Sequence, residues 1–155
     1  MNSLIVYYSR FGNTREIAEA VGETLGAAGP AQVISTDQLG VSDLEEAELV
    51  VLGSPTHQMK LPEVVRPVFE SLPRRVLPGT PAAVFDTSYK LSRWLAPFTA
   101  APKLASWLRK LGGKRLVPPE TFHVEGREGP LYAGEIERAR AWANSILKQL
   151  EEVSL

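Results

Sequence analysis

A chain of 155 residues with a net charge of −1 and no cysteine can bury roughly 70% of the surface of its unfolded form, and it excludes disulfides, thiolate-bound metals, iron–sulfur clusters and cysteine nucleophiles. No apolar run approaches the roughly 18 residues of a membrane span, and the N-terminus lacks the basic start of a signal peptide. The expectation is one domain, 1–155, in a reducing cytoplasm. The charge is unevenly divided, because residues 73–120 carry nine Lys/Arg against Asp86 and Glu120 and are +7, while the rest is −8. Such polarity would steer an acidic partner or ligand to one side. A pI near 6.2 argues against nucleic acid as a partner.

Periodicity predicts a strand over 3–8, then a helix from about Asn13 to Ala27 that buries Ile17, Ala18, Val21 and Leu25 and stops at Gly29-Pro30. Residues 31–35 read as a second strand and 43–47 as a helical turn. The continuous apolar run 48–53 fits a strand covered on both faces. Pro62 can open a helix with Val65, Val68, Phe69 and Leu72 as its buried stripe, and Pro67 is expected to kink or split it. Residues 81–86 form a fourth strand. Leu104, Trp107, Leu108 and Leu111 fall on one helical face, closed by Gly112-Gly113. A fifth strand around 115–124 is interrupted by Pro118-Pro119, which suits an edge strand or two short pieces. The last helix, about Gly134 to Glu151, buries Ile136, Ala139, Ala143, Ile146, Leu147 and Leu150. This alternation implies a three-layer α/β domain, a doubly wound five-stranded parallel sheet with helices on both faces.

Ligands of such sheets bind beyond the carboxyl ends of the strands, which singles out the loops 9–14, 54–61 and 87–103. In the first, Ser9, Asn13 and Thr14 add side-chain donors to amides gathered at a helix start, and Gly12 lets the backbone approach closely. An orphan-amide helix end favours an anion; the plain alternative is an N-cap turn with Asn13 as the cap. Neither GxGxxG nor GxxxxGK[ST] is present, so dinucleotides and nucleoside triphosphates lose support. No GxSxG elbow suggests a serine hydrolase. His123 reads as structural, and His57 reads either as an exposed loop histidine or as a ligand neighbour.

The motifs "SRFGNT", "GSPTH" and "FDTSY", with the tail "VEGREGPLYAGEIERARAW", together resemble the short-chain flavodoxin family over nearly the whole chain. The resemblance implies a flavodoxin-like strand order 2-1-3-4-5 and FMN as cofactor. It implies that Ser9, Arg10, Phe11, Gly12, Asn13 and Thr14 hold the FMN phosphate, chiefly through backbone amides and the hydroxyls of Ser9 and Thr14. Pro55, Thr56, His57, Gln58 and Met59 would line one edge and face of the isoalloxazine. Thr87, Ser88 and Tyr89 would line the other, with Tyr89 or Trp94 as the stacking aromatic. Phe11 stands where the family places a hydroxyl residue, and the region carrying the third loop is basic where ordinary flavodoxins are acidic. The favoured reading is an electron carrier that serves redox partner proteins, without membrane insertion and as a monomer or weak homodimer. The alternatives are an FMN-dependent NAD(P)H/quinone oxidoreductase, for which the basic segment would receive an anionic nucleotide, and a flavin-free interaction module.

Overall fold

The computed structural model describes residues 1–57, 60–90 and 99–154. Gln58, Met59 and Trp94, three of the expected cofactor contacts, lie outside the described residues. The elements follow in the order β1 (Ser3–Tyr7), α1 (Asn13–Gly26), β2 (Ala31–Ser35), α2 (Val41–Glu46), β3 (Leu49–Pro55), α3 (Arg66–Glu70), β4 (Pro81–Ser88), α4 (Ala100–Lys110), β5 (Lys114–Arg115), β6 (Glu120–His123) and α5 (Glu135–Ser154). The strand pairings are parallel and run β2-β1-β3-β4-β5 across the sheet, with β6 also on β4. That is the expected order.

Side-chain alternation divides the core into two layers. Leu4 and Val6 of β1, Val50 and Leu52 of β3, and Ala82 and Val84 of β4 face Leu44 of α2, Phe69 of α3, and Leu104 and Leu108 of α4. Their neighbours Ile5, Val51, Ala83 and Phe85 face Ile17, Val21 and Leu25 of α1 and Ala143 and Ile146 of α5. At about 1.5–3 kcal/mol for each large apolar side chain buried, these two layers fix the sheet between its helices. Phe85, Phe122 and Trp142 meet edge to face at 5.8–5.9 Å between centroids. This geometry complements the ring quadrupoles.

Three local expectations are corrected. The helix after Pro62 begins only at Arg66, with Pro67 in its first turn, because proline is tolerated where its missing N–H would be unpaired anyway; residues 62–65 form a turn closed by Val65 N–H to Pro62 O. β4 runs on to Ser88, so Thr87 and Ser88 are strand rather than loop. The helical turn expected at 43–47 is α2, which starts two residues earlier, where the Asp43 carboxylate accepts the Gly40 N–H at 2.9 Å. The fifth strand is two short pieces, one of the two forms expected: Ala82 pairs with Arg115 and Phe85 with Glu120, so three steps on β4 match five on the edge. Pro118 and Pro119 cannot donate to the ladder, and the chain bulges there.

Candidate functional site

The carboxyl ends of β1, β3 and β4 open on a cleft of about 620 Å³, within the size range of small-molecule sites. It is lined by residues of the 9–14 loop, of 55–63, of 87–89 and of a fourth segment around Val124 and Arg127.

The first loop turns through Gly12 in the left-handed region, φ 98°, where a side chain would be strained. Gly12 is also the N-cap of α1: its carbonyl accepts Glu16 N–H at 3.0 Å and no side chain caps the helix. The plain alternative, with Asn13 as the cap, is therefore overturned. Asn13 lies inside the helix and its Nδ2 donates to Glu128 O at 3.1 Å. With no side-chain cap, the amides of Asn13, Thr14 and Arg15 precede the first intrahelical donor, Glu16 N–H, and present the positive end of the helix dipole. Ser9 Oγ accepts the Gly12 N–H at 3.0 Å, which leaves its own proton to donate. Thr14, 1% exposed, shares a 2.9 Å hydrogen bond with Thr87 Oγ1. Two hydroxyls carry two protons and use one between them, so one remains for the cleft. Phe11 is 38% exposed and lines the cleft. Its ring lies 5.2 Å from the Arg10 guanidinium rather than packed beneath the loop.

In the second loop, Thr56 N–H donates to Thr87 O at 2.8 Å, and reciprocal backbone bonds join His57 and Lys60. His57 meets the Tyr8 ring edge-on, 6.2 Å between centroids. Burial first, then the positive charges of Arg10 and Arg127, hold the imidazole below its usual pKa, so it is neutral at pH 7. The histidine is thus a half-buried wall of the cleft. On the facing side, Thr87 and Ser88 are buried and Tyr89, 47% exposed, reaches the cleft; Lys90 sits 4.1 Å over the Tyr132 ring.

The fourth segment is the part whose role sequence reasoning missed. Val124 bridges Leu131, Glu125 N–H donates to Pro130 O, and Gly129 N–H donates to Gly126 O. Gly129, at φ 105°, lies so close to Asn13 that a Cβ there would stand 2.5 Å from Asn13 Oδ1. This contact, with the Asn13–Glu128 bond, seats the loop on the start of α1 and carries Arg127 to the cleft. Lys60 and Glu63, 3.8 Å apart, and Asp86 behind the wall were also missed. The only sequence signal for the fourth segment is the Gly-rich tail motif itself. His123, read as structural, donates its backbone N–H to Glu135 Oε2 at 2.7 Å.

Six of the nine cations of the basic segment lie away from the cleft, while Lys90 follows the cleft-lining Tyr89 and Arg93 lies outside the described residues. Arg74 and Arg75 precede β4, Arg109 and Lys110 end α4, and Lys114 and Arg115 form β5 against Pro81 and Ala82. These six cations lie at the opposite, amino edge of the sheet. Among the described residues, no helix is long and apolar enough to cross a membrane.

The family model for flavodoxin matches residues 5–142. Solved structures with the same fold include a flavodoxin from the domain Archaea, 22% identical, TM-score 0.75, covering 97% of this chain and 99% of that one. Oxidised flavodoxin 2 from Bacillus cereus is 20% identical, TM-score 0.78, covering 96% and 99%. The rubredoxin oxygen:oxidoreductase of the anaerobe Desulfovibrio gigas is 20% identical, TM-score 0.75, but the match spans 97% of this chain and 36% of that enzyme. The chain belongs to the flavodoxin family.

Proposed function

We propose that this flavodoxin-family protein holds FMN in the cleft and carries electrons between redox partner proteins. The observation that supports the reading is the meeting of four sequence-distant segments around one cleft at the uncapped start of α1. The residues fit the group. The amides of Asn13, Thr14 and Arg15, with the Ser9 hydroxyl, would take the phosphate. Pro55, Thr56 and His57 on one side and Thr87, Ser88 and Tyr89 on the other would flank the ring. Arg10 and Arg127 would add positive charge at the phosphate end, offsetting the hydroxyl that Phe11 replaces. When bound, FMN supplies the electron-transfer chemistry; the chain binds it, orients it and sets its potential and access.

The oxidoreductase alternative loses its main ground, because the basic segment meant to receive a nucleotide is concentrated at the amino edge. Two measurements test the proposal. Protein mixed with FMN and then desalted retains one FMN per chain by visible absorbance; protein that stays colourless overturns it. The loaded protein shows no appreciable steady-state turnover with NAD(P)H and a quinone unless a partner reductase is added; rapid turnover without one replaces the carrier by a reductase.

A further inference from the structure

Asp86 is 0% exposed, the most deeply buried ionisable side chain among the described residues. It stands on β4 one residue before Thr87, immediately behind the cleft wall. Its Oδ2 accepts Thr56 Oγ1–H at 2.9 Å and Ala101 N–H at 3.0 Å. Thr56 Oγ1 in turn accepts Ala100 N–H at 2.8 Å. The proton directions follow: an amide only donates, so the threonine hydroxyl is the acceptor toward Ala100 and gives its own proton to Asp86. Oδ2 is therefore an acceptor twice over, while Oδ1 has no partner. The two amides belong to the first turn of α4, whose dipole directs positive potential at the carboxylate.

A serine or asparagine could satisfy helix-start amides without burying a charge. What distinguishes Asp86 is its position between two loops. Through Thr56 it grips the second loop of the site, and through Ala101 it grips the element into which the third loop runs. Thr56 itself lines the cleft, so the carboxylate lies one side chain behind the place assigned to the flavin ring.

We propose that Asp86 is the positioning residue of this site: it locks Thr56 to the start of α4, fixing the second and third loops relative to each other, and it places a negative charge behind the ring that makes the flavin harder to reduce. The inference rests on the FMN reading above for its second half only. Removing the charge stabilises the reduced, more negative flavin, whereas removing the hydroxyl bridge loosens the two walls.

The test separates these effects. Asp86→Asn keeps an oxygen for both donors and sets its NH2 where Oδ1 has no partner. FMN affinity then stays within about threefold, and the one-electron equilibrium shifts at least threefold toward reduced flavin, about 28 mV more positive at 59 mV per decade. Thr56→Val retains the carboxylate but deletes the bridge. It weakens FMN and riboflavin alike, by about tenfold, because the loss falls at the ring end, and in the apoprotein it strips hydrogen-exchange protection from the Ala100 amide; Thr56→Ser restores both. An Asp86→Asn variant that lowers the melting temperature but leaves the potential unchanged overturns the charge role. Unchanged Ala100 protection in Thr56→Val overturns the lock. A wild-type chain that takes no FMN overturns the functional reading and the charge role, while the exchange measurement on apoprotein still decides the lock.

Discussion

At the carboxyl edge of the sheet, side chains hold distant parts of the chain together, Asn13 on the Glu128 carbonyl, Thr14 on Thr87 and Thr56 on Asp86, whereas the amino edge is closed by backbone amides. There Ser3 N–H meets Pro30 O, Leu77 N–H meets Leu111 O, Gly79 N–H meets Gly112 O and Lys114 N–H meets Thr80 O. The amino edge also carries Arg74, Arg75, Arg109, Lys110, Lys114 and Arg115, all exposed. Water solvates those charges, and the backbone ladder needs nothing further. The carboxyl edge is incomplete by comparison. It retains uncapped helix amides and a serine hydroxyl with a free proton. Buried or converging polar groups left unpaired are costly, and a ligand that pairs them recovers that cost. The contrast locates the site without reference to any particular residue type.

The most severe way to break the contrast is to remove the core that both edges share. Phe85→Ala opens a cavity beside Phe122 and Trp142 and is expected to cost about 3–5 kcal/mol, measured by urea denaturation; a loss below about 1 kcal/mol would mean that the edges are supported separately. Next in size, Asn13→Ala with Thr14→Val weakens FMN about a hundredfold, about 2.7 kcal/mol, but riboflavin less than threefold, as read by fluorescence titration. Equal losses would move the phosphate away from this loop.

Glu135 at the start of α5 sharpens the comparison by pH. Its burial raises the carboxyl pKa, but the hydrogen bonds from Arg138 and from His123 N–H, with the Arg138 charge, outweigh that and hold it below its usual value. A depressed folded-state pKa contributes stability that is complete above the unfolded value and is lost as pH falls through the folded one. Glu135→Gln is therefore expected to cost about 2 kcal/mol at pH 7 and progressively less as the pH is lowered from about 4.5. Thermal melts at pH 7 and pH 3 check this, and a cost independent of pH would sink it. A smaller effect follows for Arg127→Gln, about tenfold weaker FMN or about 1.4 kcal/mol, with riboflavin unaffected. The smallest belongs to the amino edge: Arg109→Glu, Lys110→Glu and Lys114→Glu together leave the FMN dissociation constant within about twofold, and a tenfold change would erase the distinction between the edges.

Most of the fold was legible because its elements carry their own periodicity. The apolar runs of β1, β3 and β4 and the stripes of α1, α4 and α5 predict buried faces, and the structure buries them except for the half-buried Trp107, Ile136, Leu147 and Leu150, adding Trp142 to the α5 face. The boundary errors come from proline and from strand ends. Pro67 lies in the first turn of a helix that starts at Arg66, where a kink or split of a longer helix was expected, and Thr87 and Ser88 extend β4 because pairing with Phe122 and His123 of β6 holds them in the sheet. The first loop was equally legible, as its donors are contiguous. Arg127 and Asp86 were not. Nothing local to "EGREG" or "FDTS" states which loop it will touch, and the Asn13 contact spans 115 residues.

The sequence by itself determined the alternation of strands and helices, the two-layered core and an amide-rich turn after β1, since each rests on local periodicity or on one short run of residues, while the strand order was implied only by the family resemblance. Only the tertiary structure decided that Gly12 rather than Asn13 caps α1, that six cations of the basic segment lie at the amino edge, and that Asp86 stands behind the cleft wall. Those outcomes depend on which residues a parallel sheet brings side by side, and a sheet pairs strands by burying their faces, not by their distance along the chain.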